Sequence, residues 1–162
     1  MNRSAALVIA VASSLAGLSP GSATAGDLRP FSTDGCTKWR DGTRKHPTLW
    51  RHCCVAHDLA FWAGGTVPGR DQADRDLRDC VAATGAKREA KLIYAGVRVG
   101  SRSPRKIPGM QWGNAWDARR TRTEPLSGAE IDLLEAEILK PAYDAVVPLE
   151  TRTNYLRRLR AD

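Results

Sequence analysis

The chain has 162 residues, 42% of them hydrophobic and 27% charged, with a formal net charge of +7 at pH 7. That is the length of one domain, and no stretch after the N-terminal segment is long and apolar enough to span a bilayer. The positive excess suits an anionic lipid surface, a nucleic acid or plain solubility, but nothing resembles a nucleic-acid-reading motif, so no nucleic-acid partner is expected.

Arg3 is the only charge before Asp27. An Ala/Val/Leu-rich run over 5–18 follows, broken by Ser13, Ser14 and Gly17, and then small residues ending Ala23-Thr24-Ala25. This reads as a signal peptide, residues 1–25, cleaved after Ala25, rather than as a short membrane anchor. Residues 26–162 then form a single exported domain, secreted or periplasmic. In an oxidising compartment the four cysteines, at 36, 53, 54 and 80, read as two disulfides. Adjacent Cys53 and Cys54 do not bond each other, so one pairs with Cys36 and the other with Cys80. The alternative is a zinc site that uses them with His52 or His57, against which stand the lack of a C-x-x-C pair and the export signal.

Residues 27–48 have no helical periodicity. Pro30, Gly35, Gly42 and Pro47 mark a loop, with a turn at Ser32-Thr33-Asp34-Gly35 tied down by Cys36. A first helix is expected over 49–63, with Thr48 as N-cap and Gly64 as C-cap. The run Gly64-Gly65-Thr66-Val67-Pro68-Gly69 separates it from a second helix over 70–83, whose Ala73, Leu77, Cys80 and Val81 make a helical stripe. Residues 87–99 either continue as helix through Ala90, Ile93, Tyr94 and Val97 or turn extended at Gly96. Residues 100–122, rich in Gly, Pro and Arg, read as loop. Ser127-Gly128-Ala129-Glu130 is a capping box opening a helix over 128–140 that Pro141 ends or kinks, and the basic tail from 150 reads as frayed. Arginines cluster at 98, 102 and 105, at 119, 120 and 122, and at 157, 158 and 160. Combined with five tryptophans, at 39, 50, 62, 112 and 116, they give a composition found on surfaces that touch membrane interfaces, although Trp50 and Trp62 read as core.

The stretch His52–Asp58, HCCVAHD, organises the chain. Residues four apart share a helix face, so Cys53 lies under His57 and Cys54 under Asp58. His57 and Asp58 diverge by about 100° and can serve different neighbours. In an antiparallel helical hairpin facing residues have nearly constant position sums. If Cys53 pairs with Cys80, that register sets His57 opposite Asp74.

These residues resemble the Cys-Cys-x-x-His-Asp active-site helix of the secreted phospholipase A2 family. Asp74, six residues before Cys80, and Cys36, after Asp34-Gly35, resemble that family's second helix and calcium loop. The resemblance covers residues 34–81. It implies a mainly α fold: a disulfide-linked antiparallel helix pair, preceded by a calcium-loop segment and followed here by a C-terminal helix. It implies disulfides Cys36–Cys54 and Cys53–Cys80, His57 as general base toward water, and Asp74 as the acceptor that orients His57. Calcium would be held by the Asp58 carboxylate and by backbone carbonyls at Gly35, Thr37 and Trp39, with the Thr37 N–H assisting at the oxyanion. The implied activity is hydrolysis of the sn-2 ester of phospholipids at a membrane surface. A non-catalytic lipid- or protein-binding module on the same scaffold is the alternative reading, and an unrelated basic domain binding nucleic acid or polysaccharide ranks last. Departures are the glycine-poor loop Cys36-Thr37-Lys38-Trp39-Arg40-Asp41-Gly42, where Asp34 or Asp41 would supply side-chain oxygens instead. Phe61 stands where the family has a tyrosine, which removes a hydroxyl partner for Asp74, and Ala60 and Ala73 stand where many members carry another cysteine pair.

Overall fold

A computed structural model describes residues 28–102, 111–116 and 123–161, so the expected signal peptide lies outside the described residues. The described chain is mainly helical: α1 (Arg51–Ala63), α2 (Val67–Ala83), α3 (Lys87–Arg102), α4 (Gly128–Ile138) and α5 (Leu149–Leu159), with a short 3-10 turn at Pro141–Tyr143. Among the described residues there is no strand, only an isolated bridge between Leu28 and Trp116. No helix among them is long and apolar enough to cross a membrane.

Helix α1 is the wall between two apolar clusters. On one side Val55, Leu59, Trp62 and Ala63 recur at helical spacing and pack with Phe31, Trp116, Leu134, Ile138, Tyr155 and Leu156. On the other, Cys53 and Cys54 pack with Trp50, Leu77, Val81, Ala90 and Ile93. Leu59 and Trp62 are almost wholly out of water, each worth roughly 1.5–3 kcal/mol by burial. Two disulfides fasten this wall: Cys36–Cys54 to the preceding loop and Cys53–Cys80 to α2. The chain-entropy model assigns loops of such lengths about 3 kcal/mol each.

The carbonyls at the end of α1 would be orphans, and residues 111–116 satisfy them. The N–H groups of Gly113 and Ala115 donate to the Phe61 and Trp62 carbonyls at 2.7 and 2.9 Å. The indoles of Trp116 and Trp112 donate to those of Ala63 and Gly65, both at 2.7 Å. Gly64 makes this approach possible. Its φ is +80°, and a Cβ there would sit 2.6 Å from the Gly113 Cα. Trp112 and Trp116 are therefore buried capping groups, not part of a membrane-facing surface, and of the five tryptophans only Trp39 is exposed.

Several boundaries differ from the sequence reading. Helix α1 begins at Arg51, not 49, and Thr48 is not its N-cap: Trp50 holds that position with no side-chain cap. The Trp50 N–H is instead drawn back to the Asp41 carbonyl at 2.9 Å. Helix α2 begins at Val67, not 70. Thr66 caps it by accepting from the Gly69 N–H, and Pro68 sits in the first turn, where its missing N–H costs nothing. Helix α3 runs straight through Gly96 and Gly100, so residues 100–102 are helix and not loop. The capping box of Ser127 and Glu130 forms as read, but α4 ends at Ile138. The tail is not frayed: α5 buries Tyr155 and Leu156, together with Arg152 at 1% exposure. Arg152 donates to the Ile138 carbonyl at the end of α4 at 2.8 Å and pairs with Asp144. Arg158 ties α5 to Asp76 of α2 at 2.9 Å.

Candidate active site

His57 on α1 meets Asp74 on α2, with 2.9 Å between Nε2 and Asp74 Oδ1. The histidine side chain is 10% exposed and the aspartate not at all. A carboxylate only accepts, so Nε2 carries the hydrogen and Nδ1 keeps its lone pair. Among the described residues Nδ1 has no hydrogen-bond partner. The ring lies against Phe61, 4.3 Å between centroids, and Phe61 meets Trp112 edge-on at 5.2 Å. These aromatics keep the ring from swinging away from Asp74.

A buried carboxylate needs its remaining lone pairs filled. Helix α3 does this, which the sequence reading missed. Arg98 Nη1 donates to Asp74 Oδ2 at 3.0 Å and to Asp71 Oδ1 at 2.5 Å. The Ser101 hydroxyl reaches Asp74 Oδ2 at 3.3 Å. Hydrogen bonding to Asp71 first, and then to Asp74, raises the Arg98 pKa above its ordinary value against partial desolvation. Arg98 thus belongs to an internal ion-pair network, not to a basic surface, and with Ser101 it supplies donors that Phe61 lacks. The signal lay in the helical pattern itself: Ser101 is four residues beyond Val97 and Arg98 four beyond Tyr94, positions that follow once the helix is carried through Gly96.

Asp58, the next residue on α1, points elsewhere. Its Oδ2 accepts from the Thr33 hydroxyl at 2.5 Å, and Thr33 Oγ1 accepts from the Gly35 N–H at 3.0 Å. Burial pushes the Asp58 carboxyl up to about 6. Thr33, His57 and Arg51 work the other way, while Asp34 adds to the rise.

The loop carrying Gly35, Thr37 and Trp39 is held by the protein. Asp41 accepts from the Cys36 N–H at 2.7 Å and from Arg51 Nη1 at 2.7 Å, and Arg51 also donates to the Asp34 carbonyl at 3.1 Å. Asp34 accepts from the Thr37 hydroxyl at 2.8 Å. Asp41 is thus spent on internal bonds and does not serve as a spare ligand. The Trp39 N–H closes a turn onto the Cys36 carbonyl at 2.9 Å, with Lys38 at φ +58°. The carbonyls of Asp34, Cys36, Arg40 and Asp41 each accept a hydrogen bond. Those of Gly35, Thr37 and Trp39 accept none from the described chain. No hydrogen bond joins Thr37 or Trp39 to Asp58, and the Trp39 side chain is 46% exposed.

The zinc alternative fails on covalent grounds. His52, Cys53 and Cys80 cluster as metal-type ligands, but the two sulfurs are bonded to each other and offer no thiolate. His46 and His52 are exposed, as read. The arrangement as a whole is an oriented imidazole with one free nitrogen beside a second, partly desolvated carboxylate. Such a pair can take a proton from water and hold a hard cation nearby. Comparison with family models, with curated proteins and with solved structures returned no match.

Proposed function

We propose that the chain is a secreted, calcium-dependent hydrolase of the sn-2 ester of phospholipids, working on an antiparallel α1–α2 platform. The observation that carries this reading is the buried His57–Asp74 pair at 2.9 Å, with Nδ1 left free and Asp58 one residue on. Both disulfides also follow the pairing that the resemblance implies.

The donor set fits calcium. Asp58 is a carboxylate that burial disfavours in its charged form, and a cation would remove that penalty. The carbonyls of Gly35, Thr37 and Trp39 accept no hydrogen bond from the described residues and are hard oxygen ligands of the kind that calcium takes. These four residues would hold the ion. Bound calcium supplies polarisation of the ester carbonyl and charge for the developing oxyanion.

The chain's own groups do the rest. His57 takes a proton from water at Nδ1 as the water oxygen attacks the ester carbon. Asp74 accepts from Nε2–H throughout and steadies the imidazolium. Arg98 and Ser101 hold Asp74 in place. The imidazolium then returns its proton to the departing alkoxide. Phe61 and Trp112, both buried, back the ring from the protein side and hold its orientation, and the Thr37 N–H adds a donor at the oxyanion.

The test is release of free fatty acid from mixed phospholipid vesicles by the oxidised chain. Activity that disappears with chelator and in His57→Gln supports the reading. Activity indifferent to chelator keeps the hydrolase and removes the calcium role. A folded, oxidised chain inactive on every head group points to the non-catalytic lipid- or protein-binding module.

A further inference from the structure

The loop after Cys36 and the first turn of α3 border a cleft of about 240 Å³, lined by Trp39, Arg40, Thr43, Arg44, Trp50 and Glu89. That is smaller than the pockets that take drug-sized ligands, and fits a fragment of head-group size. Its charges are unusual for this molecule. Elsewhere arginines beside carboxylates pair with them, as Arg51 does with Asp41, Arg78 with Asp79, Arg98 with Asp71 and Arg158 with Asp76. Here Arg40, Arg44 and Glu89 face one cavity, yet among the described residues none of the three makes an ion pair.

The walls are stiff and partly aromatic. Trp50 is 2% exposed, and its indole N–H is spent on the Arg40 carbonyl at 2.6 Å, so it closes the floor of the cleft and offers no donor. Trp39 stands half-exposed on the turn closed by Cys36 and pinned by the Cys36–Cys54 disulfide. Thr43 Oγ1 accepts from the His46 N–H at 3.0 Å, which leaves its hydroxyl hydrogen to donate.

We propose that this cleft binds a zwitterionic phosphate ester bearing an ammonium group, the chemistry of phosphocholine. Two guanidiniums and a hydroxyl donor match a phosphate. The half-exposed Trp39 indole together with the Glu89 carboxylate matches an alkylammonium. A simple anion would meet Glu89, and a simple cation would meet Arg40 and Arg44. Only a ligand carrying both signs leaves none of the three charges opposed. The inference rests on the cleft and does not need the hydrolase reading. If both hold, the cleft adds a head-group preference next to the ion, because Trp39 would belong to both through different atoms: its carbonyl to the ion and its indole to the cleft.

The experiment is calorimetric and tryptophan-fluorescence titration of the oxidised full chain with phosphocholine, inorganic phosphate and choline chloride in turn. Phosphocholine is expected to bind at least about tenfold more tightly than either part alone. Glu89→Gln is expected to reduce that advantage over phosphate about fivefold or more, and Arg44→Gln to weaken phosphocholine and phosphate together. Both substitutions are at solvent-accessible side chains, so folding is checked by the unchanged helical circular dichroism. Phosphocholine no tighter than phosphate, no saturable phosphocholine binding, or an unaltered Glu89→Gln would each overturn the proposal. Vesicles then separate the sources. Phosphatidylcholine vesicles displaced by free phosphocholine assign a lipid head group, whereas binding of free phosphocholine without vesicle binding assigns a soluble ester. Neither vesicle result depends on ester hydrolysis, so a failed hydrolase reading and a failed cleft are told apart.

Discussion

Replacing Asp74 with asparagine keeps the shape of the side chain and sets it a problem it cannot solve. In the native chain Oδ1 accepts from His57, and Oδ2 accepts from Arg98 and Ser101, at zero solvent exposure. An amide has one acceptor and one donor end. If its oxygen faces His57, its NH₂ faces the guanidinium, donor against donor. If the NH₂ faces His57, it donates to Nε2, drives the ring proton to Nδ1 and removes the free lone pair. The first arrangement loses a charge-assisted hydrogen bond and leaves a buried donor unmet, at about 3 kcal/mol or more. For a domain of this size that lowers the melting midpoint by roughly 10 °C. The second preserves more stability and abolishes the base, slowing ester hydrolysis ~100-fold or more. Thermal unfolding followed by circular dichroism reads the first effect. The ¹⁵N shifts of the His57 imidazole read the second without needing activity. An Asp74→Asn chain with an unmoved midpoint and an unmoved His57 tautomer would refute the reasoning for both the network and the base.

Other perturbations follow from the same geometry. Because the Asp58 pKa is raised from 3.8 to about 6 by burial, the folded chain holds that proton more tightly than the unfolded one. Its contribution is therefore present below about pH 4 and lost as the pH rises to 6, about 3 kcal/mol in all. In chelator Asp58→Asn should thus be more stable than the parent at pH 8 and converge with it near pH 4, as urea titrations would show; calcium should reverse the order at pH 8. Gly64→Ala combines a φ of +80° with a Cβ 2.6 Å from Gly113. It should lose at least about 1–2 kcal/mol from the backbone alone, and equal midpoints for the two chains would contradict the close approach. Arg152→Ala leaves the Ile138 carbonyl without its donor and empties the space of a buried side chain, while the exposed Asp144 is taken up by water, and should cost about 1–3 kcal/mol. A smaller effect would mean that α5 is not part of the core.

The site's first half could be read from spacing once Cys53 was paired with Cys80, a pairing that the resemblance implied. Cys53, His57 and Asp58 sit at fixed offsets on one helix, and Asp74 and Cys80 on the next, so helix geometry and one disulfide determine which side chains meet. Phe61 pointed to a missing donor for Asp74 but not to its replacement. Arg98 and Ser101 come from a helix interrupted by two glycines, where local propensity argues for a break and packing on α2 overrides it. The start of α2 was missed for the opposite reason: Pro68 and Gly69 read as breakers, although a proline in the first turn is an ordinary way to begin a helix. Trp112 and Trp116 were opaque because their role, filling the last carbonyls of α1, depends on contacts across some fifty residues that no periodicity encodes. Tyr155 and Leu156 were hidden among arginines, where a basic composition masked a buried stripe.

The two disulfides end on neighbouring residues, Cys53 and Cys54, and this has a topological consequence. One bridge spans residues 36–54 and the other 53–80, and the spans overlap. A single backbone cut anywhere between Cys36 and Cys80 is therefore crossed by at least one sulfur–sulfur bond and releases no fragment. His57, Asp58 and Asp74 all lie within that interval. A nick at Gly65, for example, would separate the peptide bearing His57 from the one bearing Asp74, yet leave them joined four residues from the first and six from the second. Such a chain would run as one species on a gel until reduced, and then as two. Wherever proteases act and reductants are scarce, His57 and Asp74 are held by a covalent path that does not depend on an unbroken backbone.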